Sequence, residues 1–461
     1  MIDFCDTIAA VSTPRGKGGV AVIRVSGAEA IAVCDRVFRA ASGKTLAETE
    51  ARLAVFGYIF DGDECIDDGI ATLFRGPCSF TGEDTVEISC HGGVLVTEAV
   101  LGAILAAGAR SAEAGEFTRR AFVNGKLGLS NAEALASLLE ANNRNQMRLS
   151  RAGLEGKLAA RCREIYGRLC DVLGSLYAKI DYPDEDLSGL SAESLRAMLL
   201  AEREALSKLS DTYKSGHAVA EGIVTVICGR PNAGKSSLYN KIVGRDAAIV
   251  TDVAGTTRDI LEETVPFGGV TLRLCDTAGL RGGEVDAVEQ IGIERAEARL
   301  SDAELVLALF DGSKEPSEED LALIDRLAPM RQIVIPVVSK SDLGTGAVAD
   351  MLEKNFGTAV SITVREENGL AALETEVQKR FLDGNLDLRN DPVVANARQY
   401  ASILRALTSL DAALASLDGG FPEELSAADI ERAMQAVGEL DSRAVSDDIV
   451  SNIFSRFCVG K

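Results

Sequence analysis

The residues best suited to chemistry are of a kind that grips phosphate rather than attacks carbon. Gly229-Arg-Pro-Asn-Ala-Gly-Lys-Ser236 matches G-x-x-x-x-G-K-[ST] at every fixed position. Glycines at 229 and 234 let backbone N–H groups turn onto phosphate oxygens. Lys235 can reach the outer phosphates, and Ser236 offers a hydroxyl to Mg²⁺. Asn232, Ala233 and Ser237 complete the phosphate-lining set. Downstream, Thr251-Asp252-Val253-Ala254-Gly255-Thr256-Thr257 supplies a second hydroxyl for the same ion, at Thr257. Asp276-Thr277-Ala278-Gly279 adds a carboxylate that would hold Mg²⁺ through water, and a Gly279 N–H that would meet the γ-phosphate and move when it leaves.

Base choice falls to Ser339-Lys340-Ser341-Asp342. The Asp342 carboxylate can accept both N–H donors on a guanine edge, a pair that adenine cannot supply, and Lys340 can lie along the base. GTPases usually begin this motif with Asn. A Ser339 hydroxyl cannot copy both ends of an amide, so weaker guanine affinity with selectivity kept is expected. Small GTPases often follow Asp-x-x-Gly with Gln. Leu280 stands there and cannot orient a water, so another group must.

These groups need a scaffold. Ile223–Cys228 is an apolar, β-branched run that reads as a buried strand, and Ser237–Ile242 as the helix after the loop. Leu261–Pro266 and Val270–Cys275, split by Gly268-Gly269, read as a hairpin. Glu304–Phe310 and Ile333–Val338 read as further strands between helices. The alternation predicts a mainly parallel sheet over 218–384 with its site at the carboxyl strand ends.

Residues 1–126 read as a separate α+β domain. Its strands are expected at Val20–Val25, Ala54–Phe60, Gly69–Phe74 and Thr85–Cys90, its helices near Ala28–Arg39 and Val94–Ala107. Arg24 and Glu87 interrupt apolar strands, and Lys126 follows a Val123-Asn-Gly turn. An ionised group there needs a partner or a wet face, and alternation alone allows the second.

The stretches 127–217 and 385–461 read as two parts of one helical domain. Ile403, Leu404, Leu407, Leu410, Leu414 and Leu417 form a stripe expected to pack on the first part. Arg144, Arg148 and Arg151 share a helix face, read either as solvated or as facing RNA.

The 461 residues are too many for one core, and about three domains are expected. A net charge of −22 repels nucleic acid over most of the surface, so RNA contact must be local or partner-assisted. Ten scattered cysteines without a C-x-x-C pair suit a reducing cytosol and argue against disulfides or zinc. Two histidines, His91 and His217, leave little for a histidine-centred mechanism. No signal peptide and no long apolar span is visible, so a cytoplasmic protein without a membrane segment is expected.

The chain resembles the MnmE (TrmE) family of bacterial tRNA modification GTPases, within the TrmE-Era-EngA-YihA-Septin-like superfamily. The likeness rests on Gly229–Ser236, Gly255-Thr-Thr-Arg-Asp259 and Asp276–Leu280. Asp6-Thr-Ile, Arg15-Gly-Lys-Gly-Gly19, Thr81-Gly-Glu-Asp84, His91-Gly-Gly93, Gly115-Glu-Phe-Thr118, Tyr182-Pro-Asp-Glu185 and the ending Cys458-Val-Gly-Lys461 extend it over nearly the whole length. The resemblance implies a folate-binding-like, dimerising N-terminal domain, a helical domain, and an inserted Ras-like P-loop GTPase domain. It implies K⁺-activated GTP hydrolysis, with Asn232, Thr251, Val253 and Thr256 around K⁺ and Glu289 handling the attacking water.

It further implies 5-formyltetrahydrofolate, or a related one-carbon folate, on Arg24, Glu87, Lys126 and Lys461. Cys458 matches the family's near-terminal cysteine, as a redox or catalytic thiol or simply a free one. The implied partners are a second copy, tRNA, and FAD-carrying MnmG (GidA) in a heterotetramer. The implied product is an aminomethyl or carboxymethylaminomethyl group at C5 of a wobble uridine. An RNA-binding or ribosome-assembly GTPase is the alternative; it predicts a strongly basic appended domain.

Overall fold

The computed structural model describes residues 6–181, 191–244, 262–275, 302–344, 346–421, 423–441, 443, 450, 453–455, 457 and 459–460. Contacts gather the chain into two compact units: Met1–Ala136 with Gly438–Lys461, and Ser137–Val437. The architecture is multidomain and α/β.

The first unit is built on seven strands: β1 (Ile8–Val11), β2 (Val20–Ser26), β3 (Phe38–Ala40), β4 (Ala54–Asp61), β5 (Glu64–Phe74), β6 (Thr85–His91) and β7 (Arg110–Ser111). They lie in the order β3-β4-β5-β6-β2-β1-β7. Alternation along β2 sends Ala21, Ile23 and Val25 into a core shared with helices α1 (Ala30–Val37) and α2 (Val94–Ala106). Arg24 therefore points to the opposite face, directly across from Glu87 of β6.

Two elements differ from expectation. The helix expected over Ala28–Arg39 stops at Val37, because Phe38 buries its ring by pairing with Ile59 at the sheet edge. Strand β5 begins at Glu64 rather than Gly69. Pairing with β4 through a bulge at Ile59/Phe60 overrides the poor strand propensity of Asp67 and Asp68.

A buried ion network ties this unit together. Arg120, in helix α3 (Glu116–Val123), lies 2.6 Å from Asp6 Oδ1, 3.0 Å from Glu116 Oε1 and 3.3 Å from Glu83. Glu83 also accepts from Ser26 Oγ at the end of β2 (2.7 Å). Burial pushes the Asp6 and Glu116 carboxyls up, but Arg110 and Arg120 outweigh it and hold both below the usual range. Three motif segments of the family resemblance, around Asp6, Glu83 and Glu116, thus meet in one scaffold. Near the far end of the chain, Phe454 and Phe457 pack with Leu129 and Ala132 of helix α4 (Leu129–Leu139).

The second unit holds helices α5 (Arg144–Leu154), α6 (Lys157–Asp181), α7 (Ala192–Asp211) and α8 (Tyr213–Ala220) and a six-stranded sheet. Its strands are β8 (Ile223–Gly229), β9 (Glu262–Phe267), β10 (Val270–Cys275), β11 (Leu305–Asp311), β12 (Val334–Ser339) and β13 (Val360–Ser361), ordered β13-β12-β11-β8-β10-β9. The sheet is mixed. All pairings are parallel except β9 with β10, which adds an antiparallel edge.

Helix Ala397–Asp418 packs along α7, where Arg196 meets Asp418 and Arg203 meets Asp411, and its Tyr400 stacks at 4.1 Å on Tyr213, the first residue of α8. Its buried stripe is Ile403, Ala406, Leu410, Ala413 and Leu414. Leu404, expected in that stripe, is 40% exposed, because alanines at i+3 spacing let the helix pack closely along a narrower line.

The hairpin tip is pinned. Asn145 Nδ2 donates to Gly269 O (2.9 Å) and Asn143 Nδ2 to Thr271 Oγ1 (3.1 Å), both from the start of α5. Gly268 and Gly269 have φ of +57° and +83°, as a two-residue hairpin turn of this hand requires.

A second brace joins α8 to the sheet. His217 lies 2.9 Å from both Glu221 Oε2 and Glu304 Oε1, and Glu304 Oε2 accepts from Val224 N. Those two carboxylates raise the His217 pKa to about 9, against the opposing effect of burial. Tyr213 is the other titratable group against this ring. A raised histidine pKa stabilises the fold fully below the ordinary value of about 6.5, and that contribution is lost as pH rises through about 9. Melting between pH 7 and pH 10 should therefore show a smaller drop in midpoint for His217→Gln than for the native chain. Parallel curves would show that the brace is not ionic.

Among the described residues, no helix is long and apolar enough to cross a membrane.

Candidate functional site

Two sites emerge, one in each unit. In the second unit, β8 ends at Gly229, whose φ is +148°. A Cβ there would lie 2.5 Å from the Leu309 carbonyl of β11, so only glycine lets the loop leave so close to the next strand. Arg230 braces the turn from outside: Nη1 donates to Ser317 Oγ (2.6 Å), and Nε lies 2.7 Å from Asp320 Oδ1.

Asn232 takes a left-handed φ of +63° and Gly234 one of +98° as N-cap of helix α9 (Lys235–Val243). That helix has no side-chain cap and no acid in its first turn, so its N–H groups and positive end stay available to an anion. Lys235 Nζ donates to Gly229 O (2.7 Å) and Arg230 O (2.8 Å), and burial lowers its pKa. The exposed Ser236 hydroxyl and Asn232 amide make no hydrogen bond among the described residues. Free oxygens of that kind fit hard cations.

Strand β12 delivers the second loop against the first. Ser339 Oγ donates to Ala233 O (2.6 Å), with Phe310 O at 3.1 Å. Lys340, at φ +54°, donates to Asn232 O (3.0 Å) and to Asp311 Oδ2 (2.6 Å). Burial pushes the Asp311 carboxyl up, but the Lys340 and Ser313 hydrogen bonds outweigh it and hold it below the usual range. Ser341 Oγ donates to Ile362 O (3.0 Å). Asp342 Oδ1 accepts from Thr363 Oγ1 (3.1 Å) and Oδ2 from Arg365 Nη1 (2.9 Å).

Asn232, Ala233, Gly234, Lys235, Ser236 and Ser237 thus share one turn, joined by direct hydrogen bonds to the loop Ser339-Lys340-Ser341-Asp342. Thr251, Asp252, Val253, Ala254, Gly255, Thr256, Thr257, Asp276, Thr277, Ala278, Gly279, Leu280 and Glu289 lie outside the described residues. Sequence reasoning missed Asp311, Thr363 and Arg365. Asp311 ends β11 and Thr363 follows β13, so the rule that ligands gather at carboxyl strand ends pointed to both.

In the first unit, Arg24 Nε and Nη2 both lie 2.9 Å from Glu87 Oε1. The side chains are 17% and 28% exposed, so alternation does not simply leave them in water. The Arg24 guanidinium sits over the rings of Phe80 (5.2 Å) and Phe117 (5.7 Å). Lys126 Nζ donates to Pro77 O and Asn124 Nδ2 to Thr81 O, each at 2.8 Å. Arg24, Glu87 and Lys126 therefore converge on the loop between β5 and β6. Lys461 and Cys458 lie outside the described residues, while Gly460 O accepts from Ser12 Oγ (3.1 Å).

Arg15, Gly16, Lys17 and Gly18 border a cavity of about 360 Å³ with Val94 and Leu101, and its lining does not include Arg24, Glu87 or Lys126. Asp67, Asp68 and His91 bring ligand atoms within 4.8 Å of one another. Both Asp67 oxygens are engaged by His91, which explains that cluster without an ion.

Comparison with known proteins covers both units. A family profile described as "GTP-binding protein TrmE N-terminus" matches residues 7–126, and one described as "MnmE helical domain" matches residues 129–458. A protein of Clostridioides difficile (strain 630) named tRNA modification GTPase MnmE is 35% identical, with 99% of each chain covered. Proteins of the same name from Lactobacillus delbrueckii subsp. bulgaricus and Listeria welshimeri are each 39% identical over 99% of this chain, covering 98% and 99% of their own.

Proposed function

This chain belongs to the MnmE (TrmE) family of tRNA modification GTPases, and from that premise we propose that it hydrolyses GTP in a K⁺-activated way and acts with FAD-carrying MnmG (GidA) on tRNA. The product is an aminomethyl or carboxymethylaminomethyl group at C5 of the wobble uridine. The observation that carries the reading is the uncapped start of α9 with Lys235 behind it, bolted through Ser339 and Lys340 to a carboxylate of guanine-reading type.

Hydrolysis forms a bond from water oxygen to the γ-phosphorus while the bond to the bridging oxygen breaks, and GDP leaves with that electron pair. The amides of the loop and the Lys235 ammonium bind the outer phosphates. Asp342 and Lys340 orient the base. Ser236 and Thr257 would hold Mg²⁺, and Asn232, Thr251, Val253 and Thr256 would hold K⁺; bound there, these ions neutralise charge growing on the phosphate oxygens. Glu289 handles the attacking water in place of the glutamine that Leu280 replaces.

In the first unit, Arg24, Glu87, Lys126 and Lys461 form the site for 5-formyltetrahydrofolate or a related one-carbon folate. The exposed ends of the Arg24–Glu87 pair are complementary to a ring edge carrying N–H and C=O side by side. The domains run 1–126 (folate-binding and dimerising), 127–217 with 385–461 (helical), and 218–384 (an inserted Ras-like P-loop GTPase domain). The protein works in the cytoplasm as a homodimer that joins MnmG in a heterotetramer.

GTP turnover measured in K⁺ and in Na⁺, with and without MnmG, tests this. Turnover should be more than about tenfold faster in K⁺, since the ion stands where others place an arginine finger. Equal rates would remove the potassium site, and no turnover in any salt would overturn the GTPase reading itself.

A further inference from the structure

The loop between β5 and β6 carries one aromatic side chain whose exposure the packing does not account for. Phe80 is 38% exposed, although Ser79 and Thr81 on either side are buried. The loop itself is firmly held. Lys126 braces Pro77, Asn124 braces Thr81, Ser79 Oγ donates to Glu83 O, and Glu83 is gripped by Arg120. A braced loop that presents a ring to solvent spends apolar surface it could have buried.

The ring stands where the polar groups leave something unfinished. Arg24 spends Nε and Nη2 on a single oxygen of Glu87. Arg24 Nη1 and Glu87 Oε2 have no partner among the described residues. A free donor thus sits beside a free acceptor. Their complement is a flat heterocycle with a ring N–H, or an exocyclic amine, next to a carbonyl. The Arg24 guanidinium already lies over Phe80, backed by the buried Phe117. Phe80 is thus close enough to the Arg24 guanidinium to touch a ring bonded at its edge.

We propose that Phe80 is a specificity-determining wall of this site, selecting a bicyclic ring of 2-amino-4-oxo type by stacking on its flat pyrimidine half while Glu87 and Arg24 read its edge. The proposal rests on the folate reading given above and goes beyond it by naming the group that stacks on the face of the ring, where Arg24 and Glu87 meet only its edge. Phe80 makes no hydrogen bond, so neither charge nor polarity in the sequence marks it.

The test is equilibrium binding of 5-formyltetrahydrofolate to the full-length chain and to its Phe80→Leu and Phe80→Tyr variants. p-Aminobenzoylglutamate, which lacks the bicyclic ring, is titrated in parallel, and far-UV circular dichroism checks folding. Phe80→Leu should weaken the folate roughly five- to tenfold, and Phe80→Tyr should stay within about twofold, because stacking needs a ring but not this one. Both variants should bind the ring-free fragment as the native chain does. Native-like folate affinity in Phe80→Leu would overturn the wall and leave the folate site standing. An equal loss in both variants, or for the fragment too, would also overturn it, by showing a role in loop shape. A native chain that binds neither probe would remove the folate reading and the proposal with it.

Discussion

Lys235→Ala lowers the single-turnover rate of GTP cleavage by about a hundred- to a thousandfold, the loss seen when one preorganised donor to a developing charge is removed. The ammonium is placed to act that way. It lies inside the loop, donating to Gly229 O and Arg230 O, and burial works against its charge. A cation held in poorly solvated surroundings interacts with phosphate more strongly than one in water. Nucleotide binding should weaken less than turnover, because the amides at the start of α9 remain. Lys235→Met separates charge from packing, since it keeps the stem that fills the loop. If Met restored the rate, the ammonium would not be facing the reacting phosphate.

Asp342→Asn moves preference from guanine to xanthine by a factor on the order of ten thousand, as sites built around a buried donor–acceptor match do. Each Asp342 oxygen already accepts one hydrogen bond, from Thr363 or from Arg365, and keeps a lone pair for the base. Arg365 can only donate. An amide at 342 must therefore turn its oxygen to Arg365 and its NH₂ to the Thr363 hydroxyl, which can accept. With the exocyclic group of the base on the Thr363 side, that orientation opposes an N–H to the guanine amine and welcomes the xanthine carbonyl. Competition of XTP and GTP for the variant reads the switch. A variant that still preferred GTP would place the base elsewhere.

What the sequence made legible was whatever is contiguous. Gly229 to Ser236 and Ser339 to Asp342 announce themselves because each does its work within a few residues. The links between such segments stayed hidden. Ser339 reads as a loss relative to asparagine, yet the fold uses its hydroxyl to anchor the second loop on the Ala233 carbonyl. Asp311, Thr363 and Arg365 lie on other strand ends, and nothing local marks them as partners of Lys340 and Asp342.

The same holds for the first unit. Arg24 and Glu87 were visible as charges in apolar strands, but their pairing depends on the register of β2 with β6. Local propensity also misjudged edges. The end of α1 and the start of β5 were decided by neighbouring strands, not by their own residues.

The pinned hairpin carries a mechanical consequence. With a free turn, the hairpin would be held only by the pairing of β10 with β8 and by the core residues packed beneath it. Two amides fasten this turn to the first residues of α5. Strands that share six cross-strand partners behave as a stiff rod, so a tug at the open end arrives at the helix as a tilt. The segments 245–261 and 276–301, which carry Thr257, Gly279 and Glu289, are the ones that leave that open end. Cutting both amides, as in Asn143→Ala combined with Asn145→Ala, would free the turn from the helix.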